Sequence, residues 1–416
     1  MKTNAVAGDL VEIHLSKVIY EGVLLESPES GIVLLKLDSG YNIGFNKKDI
    51  LDIKLLERAK EVKEEFNIKK DSKKPNIAMV ICGGTIASRL DAKKGGVTPL
   101  DSPEDLFKFY PGVFDKVNVL KVETPFSKDS SEINSKDWQK LAKTCKELLE
   151  DENLKGIIVT HGTDTLHYTA SALSFFLGKV NKPVVLTYSQ RSTDRASSDA
   201  TLNLQCSALA AISDIAEVMV VGHASNSDDF CYAIAGTKVR KMHSSKRDAF
   251  KSINRKPFAK ISENHIEILS EYNLRNKHKI KPLIKFEEKV TLIKFYPGQE
   301  PSILDYYIKE KYKGIVLEMF GLGQIDGNWI KKLKEIQDKG IIVCATSQTI
   351  YGRVDPLVYS IGRELMKTGV VYLKDMLSET AFVKLGWVLG QTSDKKKIKE
   401  MMLENYAHEF NDRLEK

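Results

Sequence analysis

The sequence predicts an α/β protein: two lobes built on parallel sheets, preceded by a small β-barrel-like domain. Three observations carry this expectation. From residue 76 onward, short continuously apolar runs alternate with helical patterns, and strands apolar on both faces belong to parallel sheets covered on both sides. The alternation pauses over 270–289 and resumes at 290. Before residue 55, short alternating runs are separated by turn residues at close spacing, the pattern of a small antiparallel β domain. With 416 residues the chain is too long for one compact core, and we divide it into 1–72, 73–275 and 276–416.

In the first segment "GDLVEIHL", "KVIYEGVLLE", "GIVLLKLD" and "YNIGF" read as strands, with turns at "SPESG" (27–31) and "DSG" (38–40). Residues 51–67 read as a connecting helix and "KKDSKKPN" (69–76) as a polar linker. The large segment offers strands "NIAMVI" (76–81), "GIIVTH" (156–161), "PVVLTY" (183–188) and "EVMVVGH" (217–223). Helical patterns lie over 134–151, 165–179 and 197–213. The Lys-rich stretch 270–289 reads as a linker between lobes. Strands "VTLIKF" (290–295), "GIVLEMF" (314–320) and "GIIVCATS" (340–347) then alternate with helices, and two more helices follow near 377–389 and 394–414. The last is amphipathic, with Met and Tyr positions expected to face their own lobe or a partner.

Composition narrows the class. Hydrophobic residues make up 42% and charged residues 29%, ordinary for a soluble globular protein. The apolar runs, about 6 to 8 residues long, are too short to span a membrane. "MKTNAVAGDLVEI" lacks an apolar signal core, so no export address is expected. A net charge of +7 permits an acidic partner such as RNA without demanding one. The five cysteines are scattered and include no C-x-x-C pair. That argues against a disulfide framework or zinc site and for a cytoplasmic protein.

In open parallel sheets, ligands bind beyond the carboxyl ends of strands. Here those ends are Gly83-Gly84-Thr85, "THGTDT" (160–165), "SQRSTDRASSD" (189–199) and "HASNSDD" (223–229). Neither G-x-G-x-x-G nor G-x-x-x-x-G-K-[ST] occurs at them, which argues against a nucleotide site. Two ends carry Gly-Thr. A threonine hydroxyl becomes a nucleophile once a base takes its proton, and preceding glycines let the backbone turn sharply. Asp164 can orient a base or grip an ammonium group. A desolvated lysine can serve as the base, and spacing leaves Lys238, Lys241 and Lys246 open.

At these residues the chain resembles the asparaginase family of amidohydrolases. "GGTIAS" (83–88), "THGTDTLHYTASAL" (160–173) and "VRKMHSSKRDAFKS" (239–252) match its segments in order, over roughly 76–390. The resemblance implies an asparaginase-like two-lobed fold and hydrolysis of a side-chain carboxamide. It makes Thr85 and Thr163 the catalytic threonines, Lys241 the lysine, and Asp164 the paired carboxylate that also binds the substrate ammonium. Through "DSSEINSKDW" (129–138) it places Ser130 and Ser131 against the substrate. Backbone N–H groups near Gly83, Gly84 and Gly162 become candidate donors to the developing oxyanion. No metal site is implied. One departure matters: "RLDAKKGGVTPL" (89–100) contains no tyrosine, whereas the family brings one beside the first threonine. This moves weight to Thr163, with Lys241 as its base.

Ordinary asparaginases lack the N-terminal β segment. The strings "SQRSTDRASSDATLNL" (189–204) and "GRVDPLVYSIGRELMKTGVV" (352–371) resemble the branch that acts as glutaminase subunit of archaeal tRNA-dependent amidotransferases. Ala196 and Gln324 stand where that branch tends to have proline and histidine. The branch implies hydrolysis of L-glutamine and transfer of ammonia to a second subunit that holds Glu-tRNA(Gln). That partner would use ATP and magnesium, and this chain would need no cofactor. A homodimer through the amidohydrolase domain, within a heterotetramer, is implied, with tRNA reached mainly through the partner and no membrane involved. The alternatives are a free-standing cytoplasmic asparaginase or glutaminase, and a non-enzymatic binding module on the same scaffold. Elsewhere, His161 and His223 are expected to pack and make structural hydrogen bonds. Arg191 and Arg195 either bridge a subunit contact or solvate a loop.

Overall fold

The computed structural model describes residues 4–25, 27, 31–38, 41–58, 71–90, 97–99, 115–192 and 197–413. Strands β1 (Leu10–His14), β2 (Ile19–Leu25), β3 (Ile32–Lys36), β4 (Asn42–Asn46) and β5 (Asp52–Glu57) form an antiparallel sheet ordered β4-β3-β2-β1-β5. Alternation explains it: Val11, Ile13, Leu35, Phe45 and Ile53 share one core cluster, as period-two side chains must. β5 corrects the helix expected over 51–67. Ile53 stands opposite Ile13 in the ladder and drops into that core, so strand pairing outweighs the helix preference of a Leu- and Lys-rich stretch. Residues 59–67 lie outside the described residues.

β6 (Asn76–Ile81) opens the large sheet. β7 (Ser88–Leu90) and β8 (Val97–Pro99) pair apart from it. β9 (Asn118–Glu123), β10 (Ile157–Thr160), β11 (Val184–Thr187), β12 (Val218–His223) and β13 (Cys231–Ala235) follow. β14 (Val239–Lys241) and β15 (Phe250–Ser252) form a separate hairpin, and β16 (Ala259–Ile261) and β17 (Ile266–Ile268) complete the edge. The order is β17-β16-β13-β12-β11-β10-β6-β9. From β9 to β12 neighbours run parallel, and β13, β16 and β17 join antiparallel. Every residue of β10, β11 and β12 is buried, because helices cover both faces. Helices α1 (Ser135–Glu150) and α2 (Leu166–Leu177) share a core with one face, and α3 (Ala200–Ile212) with the other. A capping box of Asn134 and Asp137 starts α1.

The second lobe is a parallel sheet of β18 (Val290–Lys294), β19 (Gly314–Met319), β20 (Ile342–Ser347) and β21 (Val371–Tyr372). Its helices are α4 (Ile303–Lys309), α5 (Trp329–Asp338), α6 (Ser360–Lys367), α7 (Ser378–Gln391) and α8 (Lys395–Leu403). α7 lies on the face toward the large sheet, and the Phe175 ring of α2 stacks on its Trp387 at 5.5 Å. The two lobes therefore share one continuous apolar core. The 270–289 stretch has no long ladder, yet it is fixed: Phe286 sits edge-on to Trp138 at 5.7 Å and fills the space beside Gly386.

The expected helix over 394–414 is also corrected, because α8 stops at Leu403. Beyond it, the wholly buried Lys384 and Glu409 pair at 2.7 Å. The Glu409 carboxylate accepts the backbone N–H groups of Tyr406 and Ala407. A buried carboxylate must be paired and hydrogen-bonded, and this one diverts the N–H groups that another helical turn would use. Met402 is buried and the Tyr406 ring meets Trp387 at 5.1 Å, so these positions face their own lobe. Among the described residues no helix is long and apolar enough to cross a membrane.

Candidate active site

The site forms where β6 and β10 end side by side, with Cys82 N–H donating to the Thr160 carbonyl at 3.1 Å. Beyond β6 the chain turns through Gly83 and Gly84, at φ +96° and +87°. These are left-handed conformations that side chains resist. The turn is tightly packed. A Cβ on Gly84 would lie 2.5 Å from the Gly162 nitrogen, and one on Gly83 would lie 2.6 Å from the Lys128 carbonyl. Thr85, half-buried, follows in a single 3-10 turn. Beyond β10 come His161, Gly162, Thr163 and Asp164, directly before α2. The two Gly-Thr segments predicted from sequence therefore pack backbone to backbone on adjacent strand ends.

The third element is the β14–β15 hairpin. Lys241, the last residue of β14, donates from Nζ to Thr163 Oγ1 at 2.8 Å and to Asp164 Oδ1 at 2.8 Å. Its side chain is only 12% exposed, whereas that of Asp164 is 67% exposed. The geometry thus separates the three lysines. Lys238 is wholly buried against Asp375 at 2.7 Å, and Lys246 is exposed. Ser130 is buried, with its Oγ accepting from the Asp164 N–H at 3.1 Å and its carbonyl from Thr165 Oγ1 at 2.6 Å. Ser131 is exposed beside it. Gly84, Gly162, Thr163, Asp164, Ser130 and Lys241 thus come together, and Thr85 stands one residue past the Gly84–Gly162 approach. Of the tyrosine-free segment 89–100, residues 91–96 and 100 lie outside the described residues.

A second layer fixes the β10 loop. Trp138 Nε1 donates to Thr169 Oγ1 at 3.1 Å, Thr169 Oγ1 meets His161 Nε2 at 2.9 Å, and His161 Nδ1 donates to the Gly162 carbonyl at 2.7 Å. Burial pulls the His161 imidazole down to about 4, so it is the neutral ring that this chain of bonds requires. His167 is likewise brought to about 4, by burial and then by the nearby Arg240 and Lys241 charges. His223 faces Asn203 Oδ1 at 2.6 Å and Asp228 Oδ1 at 2.9 Å. Both expected structural histidines are therefore internally bonded. In the "SQRSTDRASSD" loop, the buried Asp199 accepts the N–H groups of Gln190 and Arg191; Arg195 lies outside the described residues. Among the described residues no cluster of His, Cys, Asp and Glu is arranged to hold a metal.

Sequence reasoning missed Arg240 and its partner Glu379, which meet at 2.9 Å, and the buried His167. Arg240 directly precedes Lys241, but its partner is 139 residues away in sequence (379 − 240), and no spacing signals such a pair. The one available hint was alternation along β14, which aims residues 240 and 241 at opposite sides.

Comparison with known proteins places this geometry in a family. The descriptions "Asparaginase, N-terminal" and "Glutaminase/Asparaginase C-terminal domain" match residues 76–273 and 289–402. "GatD N-terminal domain" matches 5–56. The D subunit of the Glutamyl-tRNA(Gln) amidotransferase of Pyrococcus furiosus is 46% identical over 402 residues, spanning 95% of this chain and 91% of that protein. Its counterpart in Thermococcus kodakarensis is 45% identical over 97% of this chain and 94% of its own. Among solved structures, the thermostable L-asparaginase from Thermococcus kodakarensis superposes with a TM-score of 0.74 at 29% identity, covering 81% of this chain and all of that one. The L-asparaginase I of Vibrio cholerae gives 0.70 at 26% identity, covering 81% of this chain and 99% of its own. The chain belongs to the GatD family of Glu-tRNA(Gln) amidotransferase subunits, within the wider asparaginase family.

Proposed function

We propose that this chain is the glutaminase subunit of a Glu-tRNA(Gln) amidotransferase: it hydrolyses L-glutamine and supplies ammonia to a second subunit. The single observation that carries the chemistry is Lys241 Nζ held at 2.8 Å from both Thr163 Oγ1 and Asp164 Oδ1. The neutral amine at this distance accepts the Thr163 hydroxyl proton, and Asp164 orients it. The full-length likeness to GatD proteins, including the N-terminal domain, supports the biological setting.

In this reading a threonine hydroxyl attacks the side-chain carbonyl, and Thr163 is favoured because it already contacts the base. A lysine acts as a base only when neutral. The Asp164 carboxylate serves twice, binding the substrate ammonium and orienting Lys241. The backbone N–H groups of the Gly84 and Gly162 turns, and the positive end of α2 just past Asp164, supply electrostatic support for the oxyanion. Attack expels ammonia and leaves an acyl-threonine, which water cleaves to glutamate. Thr85, on the neighbouring turn, positions the substrate or the water. Ser130 and Ser131 hold the amino-acid end. ATP and magnesium belong to the partner, which presents the tRNA; a homodimer of this chain within a heterotetramer, acting in the cytoplasm, completes the assembly.

The test is twofold. Replacing Thr163, Asp164, Lys241 or Thr85 is expected to lower glutaminase turnover at least roughly 100-fold, the low end for general acid–base groups. Affinity capture is expected to recover a tRNA-binding partner, and glutamine hydrolysis to rise when Glu-tRNA(Gln) and ATP are added. Rapid hydrolysis of free asparagine, with no response to partner or tRNA, would identify a free-standing asparaginase instead.

A further inference from the structure

Lys241 ends a strand of only three residues. Such a strand has little ladder to hold it, yet the lysine tip meets two acceptors at hydrogen-bond distance. Its neighbours show what holds it. Arg240 Nη2 pairs with Glu379 Oε1 of α7 at 2.9 Å. Lys238 Nζ pairs with Asp375 Oδ2 at 2.7 Å, both side chains wholly buried. Asp375 also accepts from Asn411 N–H at 3.0 Å and Nδ2 at 2.9 Å. Thr237 donates to the Ala407 carbonyl at 2.6 Å, and its own carbonyl accepts from Thr380 Oγ1 at 2.9 Å. Every one of these partners lies in the second lobe. Residues along a strand alternate between faces: Arg240 grips the second lobe while Lys241 reaches Thr163 and Asp164, Val239 enters the shared core, and Lys238 anchors the turn just before the strand.

We propose that the second lobe positions Lys241 for catalysis, through the Arg240–Glu379 ion pair on the opposite face of its strand and the Lys238–Asp375 ion pair in the turn before it. The inference rests on the amidohydrolase reading above and adds to it a task for a lobe that contributes none of the catalytic residues named there. Arg240 and Glu379 are positioning residues that act through Lys241. The physical demand is strict, since a misplacement of about 1 Å can cost on the order of 100-fold in rate.

The experiment measures steady-state glutamine hydrolysis and thermal unfolding of the full-length chain. The variants are Glu379→Gln, Arg240→Gln, Arg240→Lys, the Glu379→Gln/Arg240→Gln double and Lys241→Met. Lys238 and Asp375 are left intact, because stranding one partner of a wholly buried pair threatens the fold. Glu379→Gln is expected to lower kcat about tenfold while KM changes less than about threefold and the unfolding midpoint moves by only a few degrees. Arg240→Lys, which keeps the charge, is expected to retain more kcat than Arg240→Gln. The double variant is expected to be no slower than Arg240→Gln alone, because both changes break one interaction. Unchanged kcat in Glu379→Gln overturns the proposal, and so do losses that multiply in the double variant or track the unfolding midpoint. A wild-type chain without glutaminase activity, or one indifferent to Lys241→Met, sinks the amidohydrolase reading instead.

Discussion

Gly162 has no room for a side chain: a Cβ there would lie 2.8 Å from both Cβ and Oγ of Ser130. Gly162→Ala must push Ser130 away from the Asp164 N–H it now accepts. We expect a fall of roughly 10- to 100-fold in kcat/KM, measured with glutamine as substrate, with the unfolding midpoint shifting by no more than a few degrees. Two residues of this neighbourhood also set an acid limit. His161 and His167 are both brought down to about 4, chiefly by burial. Their folded values lie below the ordinary 6.5, so as pH falls the unfolded chain takes up these protons first. Stability is complete above about pH 6.5 and declines progressively toward pH 4, by an amount on the order of 3 kcal/mol for one such site. Urea midpoints at pH 7 and pH 5 are expected to differ in that direction, and His167→Gln is expected to flatten part of the slope. At this scale the threonines and Asp164 were legible, because Gly-Thr after an apolar run is a local pattern. The choice among Lys238, Lys241 and Lys246 needed the family likeness or the fold.

Among the elements, the tail after α8 carries the sharpest expectation. Burial lowers the Lys384 ammonium from its usual value, and Glu409 opposes that shift. Lys384→Met leaves the Glu409 carboxylate buried and unpaired. We expect a loss of about 3–5 kcal/mol by urea unfolding, recovered only in part in Lys384→Met/Glu409→Leu, which strands the Tyr406 and Ala407 N–H groups. The tail also shows where periodicity misleads. Its apolar spacing suits a helix to residue 414, but a carboxylate paired 25 residues upstream (409 − 384) ends the helix early. β5 is the converse, a segment rich in helix formers drawn into a ladder by β1. In both, a contact distant in sequence overrode the local preference. The apolar strands β6, β10, β11 and β12 were legible because full burial leaves an unbroken apolar run.

On the scale of the molecule, the N-terminal sheet has an apolar cluster of its own, whereas the two lobes share theirs. Deleting residues 1–70 is therefore expected to leave a folded body that still hydrolyses glutamine. Its unfolding midpoint should stay within about 2 °C of the full chain, the scale of a change of roughly 1 kcal/mol in a body of this size. Transfer of ammonia to Glu-tRNA(Gln) in the presence of the partner should fall. A deletion that abolishes glutamine hydrolysis would make the sheet part of the catalytic body. The shared core also explains why the linker over 270–289 does not behave as a tether: Phe286 belongs to the contact between lobes.

The sequence by itself determined the α/β class, the parallel strands, and the strand-end segments that meet at the candidate site, since burial and turn geometry leave marks within a few neighbouring residues. Only the tertiary structure decided where the tail turns back, that the segment after residue 51 joins the N-terminal sheet, and that the second lobe grips the strand carrying Lys241. Those outcomes depend on ion pairs and packing between groups tens to hundreds of residues apart, for which a linear pattern has no period.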